Sequence, residues 1–263
     1  MRGSLHDVDG FIIDLDGTVY RGKEIIEGVP ETVALLKEAG KRVLFLSNRG
    51  NISRKMCYDK LCGMGLAVAE EEIMLSSTAT ARYLQQNNPG CQAWVLGEQG
   101  LKDELIAGGI ALAAKPEEAD WLVITLHETL TYHDLNQAFR AVRSGARIIA
   151  TNADKTFPGD GGDCIDVAGM IGAIVASTGK EADVVIGKPS RFMAETALQE
   201  LGLPADRCIV IGDSLESDIG LGKQAGMKTA LVWSGSTKKG TAIPEERRPD
   251  WIWDSINDLR ALL

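Results

Sequence analysis

The sequence predicts an α/β fold: a Rossmann-like parallel sheet domain whose chain is interrupted by an inserted α/β module. Short apolar runs bounded by turn residues alternate along the chain with amphipathic stretches of helical length. Such alternation builds right-handed βαβ units. Three of the apolar runs also end alike, in small polar or acidic residues. The run at 11–13 ends in Asp14-Leu15-Asp16-Gly17-Thr18, that at 41–46 in Ser47-Asn48, and that at 208–211 in Gly212-Asp213-Ser214. Burying unpaired charge is costly, and open parallel sheets bind ligands at the carboxyl ends of their strands. Alone, Asp-x-Asp-Gly is also compatible with an Asx-capped turn or half of a calcium loop. The calcium reading fails because Ile25 stands at the loop's twelfth position, where a glutamate is required.

After the first strand, 30–39 reads as a helix with proline early and Gly40 just past its end. The strand 41–46 follows, then Ser53 as the N-cap of a helix to about Met64, then a helix over 78–86. A second series opens with a strand at 93–97. It continues with a helix at 99–107, a strand at 121–126, a helix at 132–142, a strand at 146–150 and a helix at 167–177. The glycine-rich stretch 158–163 lacks Gly-Lys-Ser/Thr and is expected to be a surface loop. The third series holds a strand at 183–186, a helix to Leu201, the strand 208–211, a helix to Ala225, strands at 229–233 and 251–253, and a closing helix at 255–263. The turn-rich Asn87-Asn88-Pro89-Gly90 suggests a boundary. The division expected is a core at 1–86, an inserted domain at 87–182 and the rest of the core at 183–263.

With 263 residues, 44% hydrophobic and 25% charged, the chain is long enough to bury a real core. Its formal charge of -9 argues against nucleic-acid or membrane-surface binding through bulk electrostatics. An anionic substrate remains compatible, because a metal ion reverses the sign locally. The five cysteines form no CxxC pair and predict reduced, buried thiols in a cytoplasmic protein. No segment approaches the run of about 20 apolar residues that spans a membrane, and the first residues lack the apolar region of a signal peptide.

Four signatures occur in order: the Asp14-Leu15-Asp16-Gly17-Thr18 run, the Ser47-Asn48 pair, Lys188 before a helix, and Gly212-Asp213-Ser214-Leu215-Glu216-Ser217-Asp218. Singly, Ser47 could start a turn and Lys188 be a solvated surface lysine. Together they resemble the motifs of the haloacid dehalogenase-like hydrolases, a phosphotransferase superfamily. Asp16 points to its phosphatase and phosphomutase members, since the dehalogenase branch lacks that second aspartate and P-type pumps carry lysine there.

The chemistry of a phosphate ester explains these residue types. It needs a nucleophile, cations to neutralise oxygens and an acid for the leaving group. Asp14 suits the nucleophile, forming an aspartyl-phosphate. Asp16 suits the acid that protonates the leaving oxygen and then takes a proton from the attacking water, which requires its pKa to be raised by surrounding carboxylates. Ser47 and Asn48 would donate to the transferring phosphoryl group, and Lys188 would offset its charge. Mg2+ fits an oxygen-rich ligand set. The resemblance implies Asp14, the Asp16 backbone carbonyl and Asp213 as metal ligands, with Asp218 binding or orienting a metal water.

The insertion lies between Ser47-Asn48 and Lys188, the position of a type-2 cap. Its Trp94-Val95-Leu96-Gly97-Glu98 and Ile149-Ala150-Thr151-Asn152-Ala153-Asp154 runs resemble the NagD-type phosphatases, and further runs extend the likeness to their sugar-phosphatase branch. That resemblance implies a phosphatase of pentose and hexose phosphates, acting on small phosphorylated metabolites, and a homodimer through the cap. Nucleoside-monophosphate or phosphoglycolate hydrolysis on the same cap type is the alternative, and a non-catalytic phosphometabolite-binding protein a third. Asn152 and Asp154 either read sugar hydroxyls or form an Asx turn. Arg49 either contacts substrate or pairs with a carboxylate. The run from His127 to His133 is not HExxH, since Thr131 stands in the second histidine's place, and a structural role is expected. Gly220-Leu221-Gly222-Lys223 is no P-loop, because neither serine nor threonine follows the lysine.

Overall fold

The computed structural model describes residues 5–159 and 161–262. The chain forms two compact units. The first comprises the residues up to Ser47, Cys57–Met74 and those from Lys188 onward, and the second Asn48–Met56 and Leu75–Gly187.

The first unit is built on a six-stranded sheet in the order Trp251–Trp253, Lys228–Val232, Cys208–Gly212, Gly10–Ile13, Arg42–Ser47, Ile73–Leu75. The strands at 10–13 and 208–212 are buried throughout, and 42–47 is buried after Arg42. Continuous apolar runs of this kind belong to parallel strands covered on both faces. Gly10–Ile13 pairs in parallel with Cys208–Gly212 on one side and Arg42–Ser47 on the other, Ile13 lying opposite both Ile211 and Phe45. The chain leaves this central strand to one side and returns on its other side, so the carboxyl end of Gly10–Ile13 is a topological switch point.

The second unit carries a five-stranded parallel sheet in the order Val184–Val185, Arg147–Ala150, Trp121–Ile124, Gln92–Leu96, Ala111–Leu112. Leu96, Leu122, Ile124, Val142, Ile148 and Ile174 build its core between sheet and helices. The second unit begins earlier than the expected 87, because the helix Ser76–Asn87 packs on Gln99–Ala107. A Cβ at Gly108 would lie 2.7 Å from that of Ala81, and Thr78 donates to the buried Glu104 at 2.8 Å. Glu104 also accepts from the Arg54 backbone at 2.8 Å, fastening the 48–56 segment to the same unit. The turn at 87–90 is therefore the end of a helix, and the unit closes at Gly187 rather than 182.

Several elements differ from the sequence expectation. The glycine-rich stretch is a β-hairpin, Thr156–Gly159 paired with Gly162–Ile165, rather than a loop. Gly162 at φ 120° supplies the backbone conformation that its turn requires. The short strands Tyr20–Arg21, Glu24–Ile25, Ile73–Leu75 and Ala111–Leu112 were not predicted. Runs of two or three residues carry no periodicity to detect. The segment after Asp213 opens as a π-helical turn, Leu215–Ile219, before the helix Gly220–Ala225. The closing segment is a 3-10 helix, Ile256–Leu262, and Leu263 lies outside the described residues. All five cysteines are free; Cys57, Cys91 and Cys208 are buried, but Cys62 and Cys164 are exposed, contrary to expectation. No helix among the described residues is long and apolar enough to cross a membrane.

The 127–133 run has a structural part to play. The Thr131 hydroxyl accepts from the Asp134 backbone at 3.3 Å, and the Asp134 carboxylate accepts from the Thr131 backbone at 2.9 Å. This reciprocal box starts the helix Tyr132–Arg143. Thr131→Ala should lower stability by about 1 kcal/mol, the usual cost of losing such a cap. Urea denaturation would read this as a shifted midpoint with an unchanged slope.

Candidate active site

Three strand ends meet at the switch point. Asp14 directly follows Gly10–Ile13 and its backbone N–H donates to the Ile211 carbonyl at 2.9 Å, which continues the ladder by one residue. Asp213 follows Cys208–Gly212, and Ser47 is the buried last residue of Arg42–Ser47. The π-turn returns Asp218 toward the strand end. Its Oδ2 accepts from the Ser214 backbone at 3.1 Å, while the Ser214 hydroxyl accepts from the Ser217 backbone at 3.1 Å. One carboxylate oxygen from each of Asp14, Asp213 and Asp218 lies within 4.8 Å of the others, and all three residues are buried.

Lys188 neutralises part of this charge. It is 5% exposed, and its Nζ donates to Asp14 Oδ1 at 2.5 Å, to Asp218 Oδ1 at 2.6 Å and to the Leu46 carbonyl at 3.2 Å. It stands just before the helix Arg191–Leu201, whose N-cap Ser190 accepts from the Met193 backbone at 3.1 Å. All three ammonium hydrogens thus have acceptors.

Glycines make the carboxylates fit. A Cβ on Gly17, which sits at φ 83°, would lie 2.6 Å from Asp213 Oδ2. Side chains on Gly212 and Gly235 would run into the carboxylates of Asp218 and Asp213 respectively. The Gly235 segment holds Asp213 from the far side: the Ser236 backbone N–H donates to its Oδ2, and the Ser236 hydroxyl donates to its carbonyl at 3.2 Å. The Ser234 hydroxyl in turn donates to the Gly17 carbonyl at 2.6 Å. Asp16 stands apart from the three-carboxylate cluster, with its Oδ2 accepting from the Tyr20 hydroxyl at 2.9 Å. The Lys60 ammonium lies 3.6 Å above the Tyr20 ring.

The electrostatics follow from burial. Desolvation pushes the Asp14 carboxyl well above the ordinary range, with Asp218 and Asp213 adding to the shift and Lys188 opposing it. Desolvation, then the Asp218 charge, raises Asp213 to about 6. Burial works to lower the Lys188 pKa, but the charges of Asp14 and Asp218 outweigh it and hold the ammonium above its usual value. The cluster is therefore short of positive charge. Three hard carboxylate donors converging with one ammonium suit a divalent cation of the magnesium or calcium kind.

Four further residues singled out in the sequence belong to the second unit. The Asn48 side-chain nitrogen donates to Asp154 Oδ2 at 2.9 Å. The Asn152 side-chain nitrogen donates to the Asn48 carbonyl at 2.8 Å, and the Asp154 backbone donates to Asn152 Oδ1 at 2.9 Å. Arg49 is half-buried beside Asn48 in the chain. Sequence reading missed Tyr20, Gly235 and Ser236. Their signals were a tyrosine four residues past Asp16 and a Ser-Gly-Ser run closely following the parallel strand at 228–232.

Comparison with known proteins agrees with this geometry. Residues 11–111 match the family described as haloacid dehalogenase-like hydrolase, and residues 185–259 match the HAD-hydrolase-like family. The chain belongs to the haloacid dehalogenase-like hydrolases and is a phosphatase of that family. It is similar to the sugar-phosphatase AraL of Bacillus subtilis (strain 168), with 55% identity over 96% of this chain and 92% of that protein. The 5'-nucleotidase YutF of the same organism is 33% identical over 95% of this chain and 96% of its own length. Among solved structures, a p-nitrophenyl phosphatase from Archaeoglobus fulgidus superposes with a TM-score of 0.91 at 35% identity, covering 98% of this chain and 100% of that one.

Replacing Lys188 by methionine keeps the volume and leaves buried carboxylates without their ammonium. Breaking a buried pair in this way should destabilise the protein by roughly 3 kcal/mol or more. Chemical denaturation in metal-free buffer would measure it, and an unchanged midpoint would contradict the assigned role of this ion pair.

Proposed function

We propose that this phosphatase hydrolyses small sugar phosphates, pentose and hexose phosphates, with Mg2+ and through an aspartyl-phosphate on Asp14. The observation that carries the chemistry is the buried cluster of Asp14, Asp213 and Asp218 joined to Lys188. The likeness to AraL over nearly the whole chain supports the substrate class.

Asp14 lies buried at the switch point with its carboxylate held by Lys188, which suits attack on phosphorus. The ester oxygen leaves as the Asp14–phosphorus bond forms, taking a proton from Asp16. Water then cleaves the aspartyl-phosphate and returns a proton to Asp16. Tyr20 orients Asp16 through its hydroxyl. Ser47 and Asn48 donate to the phosphoryl oxygens, and Lys188 offsets their charge. Asp14, Asp213 and the Asp16 carbonyl would hold Mg2+, with Asp218 beside them, and the ion would supply charge neutralisation for the phosphoryl oxygens. The free cysteines fit a reducing, cytoplasmic setting.

Phosphate release from an aryl phosphate should require Mg2+ and disappear in Asp14→Asn; an undiminished rate would remove the nucleophile assignment. Mg2+ at about a hundred times its Kd should stabilise the folded protein by about 2.7 kcal/mol, read as a raised Tm that Asp213→Asn abolishes. Ranking phosphate esters by kcat/KM decides the substrate. Preference for pentose and hexose phosphates is expected. Efficient turnover restricted to nucleotides or phosphoglycolate, the substrates that name relatives at 33% identity, would overturn the sugar assignment.

A further inference from the structure

The segment that holds Asp213 from the far side is itself held. Its Ser236 N–H donates to Asp213 Oδ2, and its Thr237 N–H donates to the Asp213 carbonyl at 3.2 Å. Two ties fix this segment to the turn that follows Asp16. The Ser234 hydroxyl donates to the Gly17 carbonyl at 2.6 Å. The Arg21 guanidinium donates through Nε to the Ser234 carbonyl, also at 2.6 Å. The turn is closed at its base, where the Gly17 N–H donates to the Tyr20 carbonyl at 2.8 Å. Arg21 then lies opposite Glu24 in the small hairpin of Tyr20–Arg21 and Glu24–Ile25. Ser234 is buried, whereas Arg21 is exposed.

We propose that Arg21 is a positioning residue for the metal site, whose guanidinium clamps the 234–236 segment so that the Ser236 N–H orients Asp213. The inference rests on the reading of Asp213 as a Mg2+ ligand. Groups that hydrogen-bond a metal ligand set its orientation, and losing one typically costs about tenfold to a hundredfold in metal affinity. Here that group is a backbone N–H, so its aim depends on the conformation of the chain that carries it. The residue before it is Gly235, where a Cβ would run into the Asp213 carboxylate. Glycine restrains its own backbone least of all residues. The close approach to Asp213 therefore puts a freely rotating link just before the donor. Arg21 offsets that freedom, because it fixes the Ser234 carbonyl, the oxygen of the peptide group shared with Gly235. A guanidinium stays ionised, and its bond to a carbonyl is charge-assisted. Its charge repels a nearby cation, so what Arg21 contributes to Mg2+ binding comes through geometry.

Calorimetric titration of the full chain with Mg2+ alone tests this in Arg21→Leu, Arg21→Lys, Ser234→Ala and Asp213→Asn. Arg21→Leu should weaken Mg2+ binding by about tenfold. Charge alone predicts the opposite sign, because removing a cation near a cation site tightens binding. Arg21→Lys keeps the charge and a donor for one carbonyl, so it should recover most of the affinity. Ser234→Ala cuts the other tie without changing charge, and should weaken Mg2+ in the same direction. It decides the matter where Arg21→Leu fails to fold. Hydrolysis of an aryl phosphate by Arg21→Leu should fall at low Mg2+ and recover when Mg2+ is raised about tenfold. Mg2+ binding as tight as the parent's, or tighter, in the folded Arg21→Leu chain would overturn the proposal. So would a raised KM at unchanged Mg2+ affinity, the mark of a substrate contact. A lowered metal-free Tm at unchanged affinity would overturn it too, leaving Arg21 a purely structural tie. If Asp213→Asn bound Mg2+ as the parent does, Asp213 would be no ligand, and the proposal would fall with that reading.

Discussion

The ion pair of Lys188 with Asp14 and Asp218 is the constraint on which the first unit depends. A parallel sheet with a strand-order reversal brings backbone ends together, and this sequence places acidic side chains at two of them. Buried carboxylates at such spacing repel one another and resist desolvation. The arrangement stands because one buried ammonium touches two of the three, while the backbone N–H groups of Ser214 and Ser236 donate to the carboxylates of Asp218 and Asp213. The same shortage of positive charge that makes the cluster demanding to fold is what suits it to a cation and a phosphoryl group.

Steric economy completes the arrangement. Gly17, Gly212 and Gly235 lie where any side chain would collide with Asp213 or Asp218. Only one of them, Gly17, has a backbone conformation that itself favours glycine. For the other two the requirement is one of close approach, which concerns a neighbour from elsewhere in the chain. The Ser234 to Gly17 bond fastens the two glycine-bearing segments to each other, so the Asp213 carboxylate is held between them.

How much of this could be read from the sequence depends on whether a role belongs to a side chain or to the backbone. Asp14, Ser47, Lys188 and Asp213 were legible because acidic, hydroxyl and ammonium groups at the ends of apolar strands have few packing reasons to be there. The Ser236 N–H that serves Asp213 carries no residue signature, and Tyr20 reads as an ordinary apolar position. Strands were legible where they form apolar runs bounded by turn residues, as at Gly10–Ile13 and Cys208–Gly212. Ile73–Leu75 is buried but too short to show a period. The hairpin at 156–165 was hidden by its glycines, which serve a tight turn as readily as an irregular loop. Asn152 and Asp154 stood out as polar strand-end residues, yet their direction was undetermined, because the same side chains serve an Asx turn, a ligand or a neighbouring asparagine.

The chain passes between its two units at Ser47–Asn48 and again at Gly187–Lys188. The boundary between units therefore falls between the two members of one motif, and directly before the lysine of another. Modularity has a limit here. A graft of the second unit onto a related sheet would carry Asn48 together with its brace of Asn152 and Asp154, but would leave Ser47 and Lys188 behind. The inserted unit is a discrete body in its packing, yet its ends divide the Ser47-Asn48 pair at one junction and stop directly before Lys188 at the other.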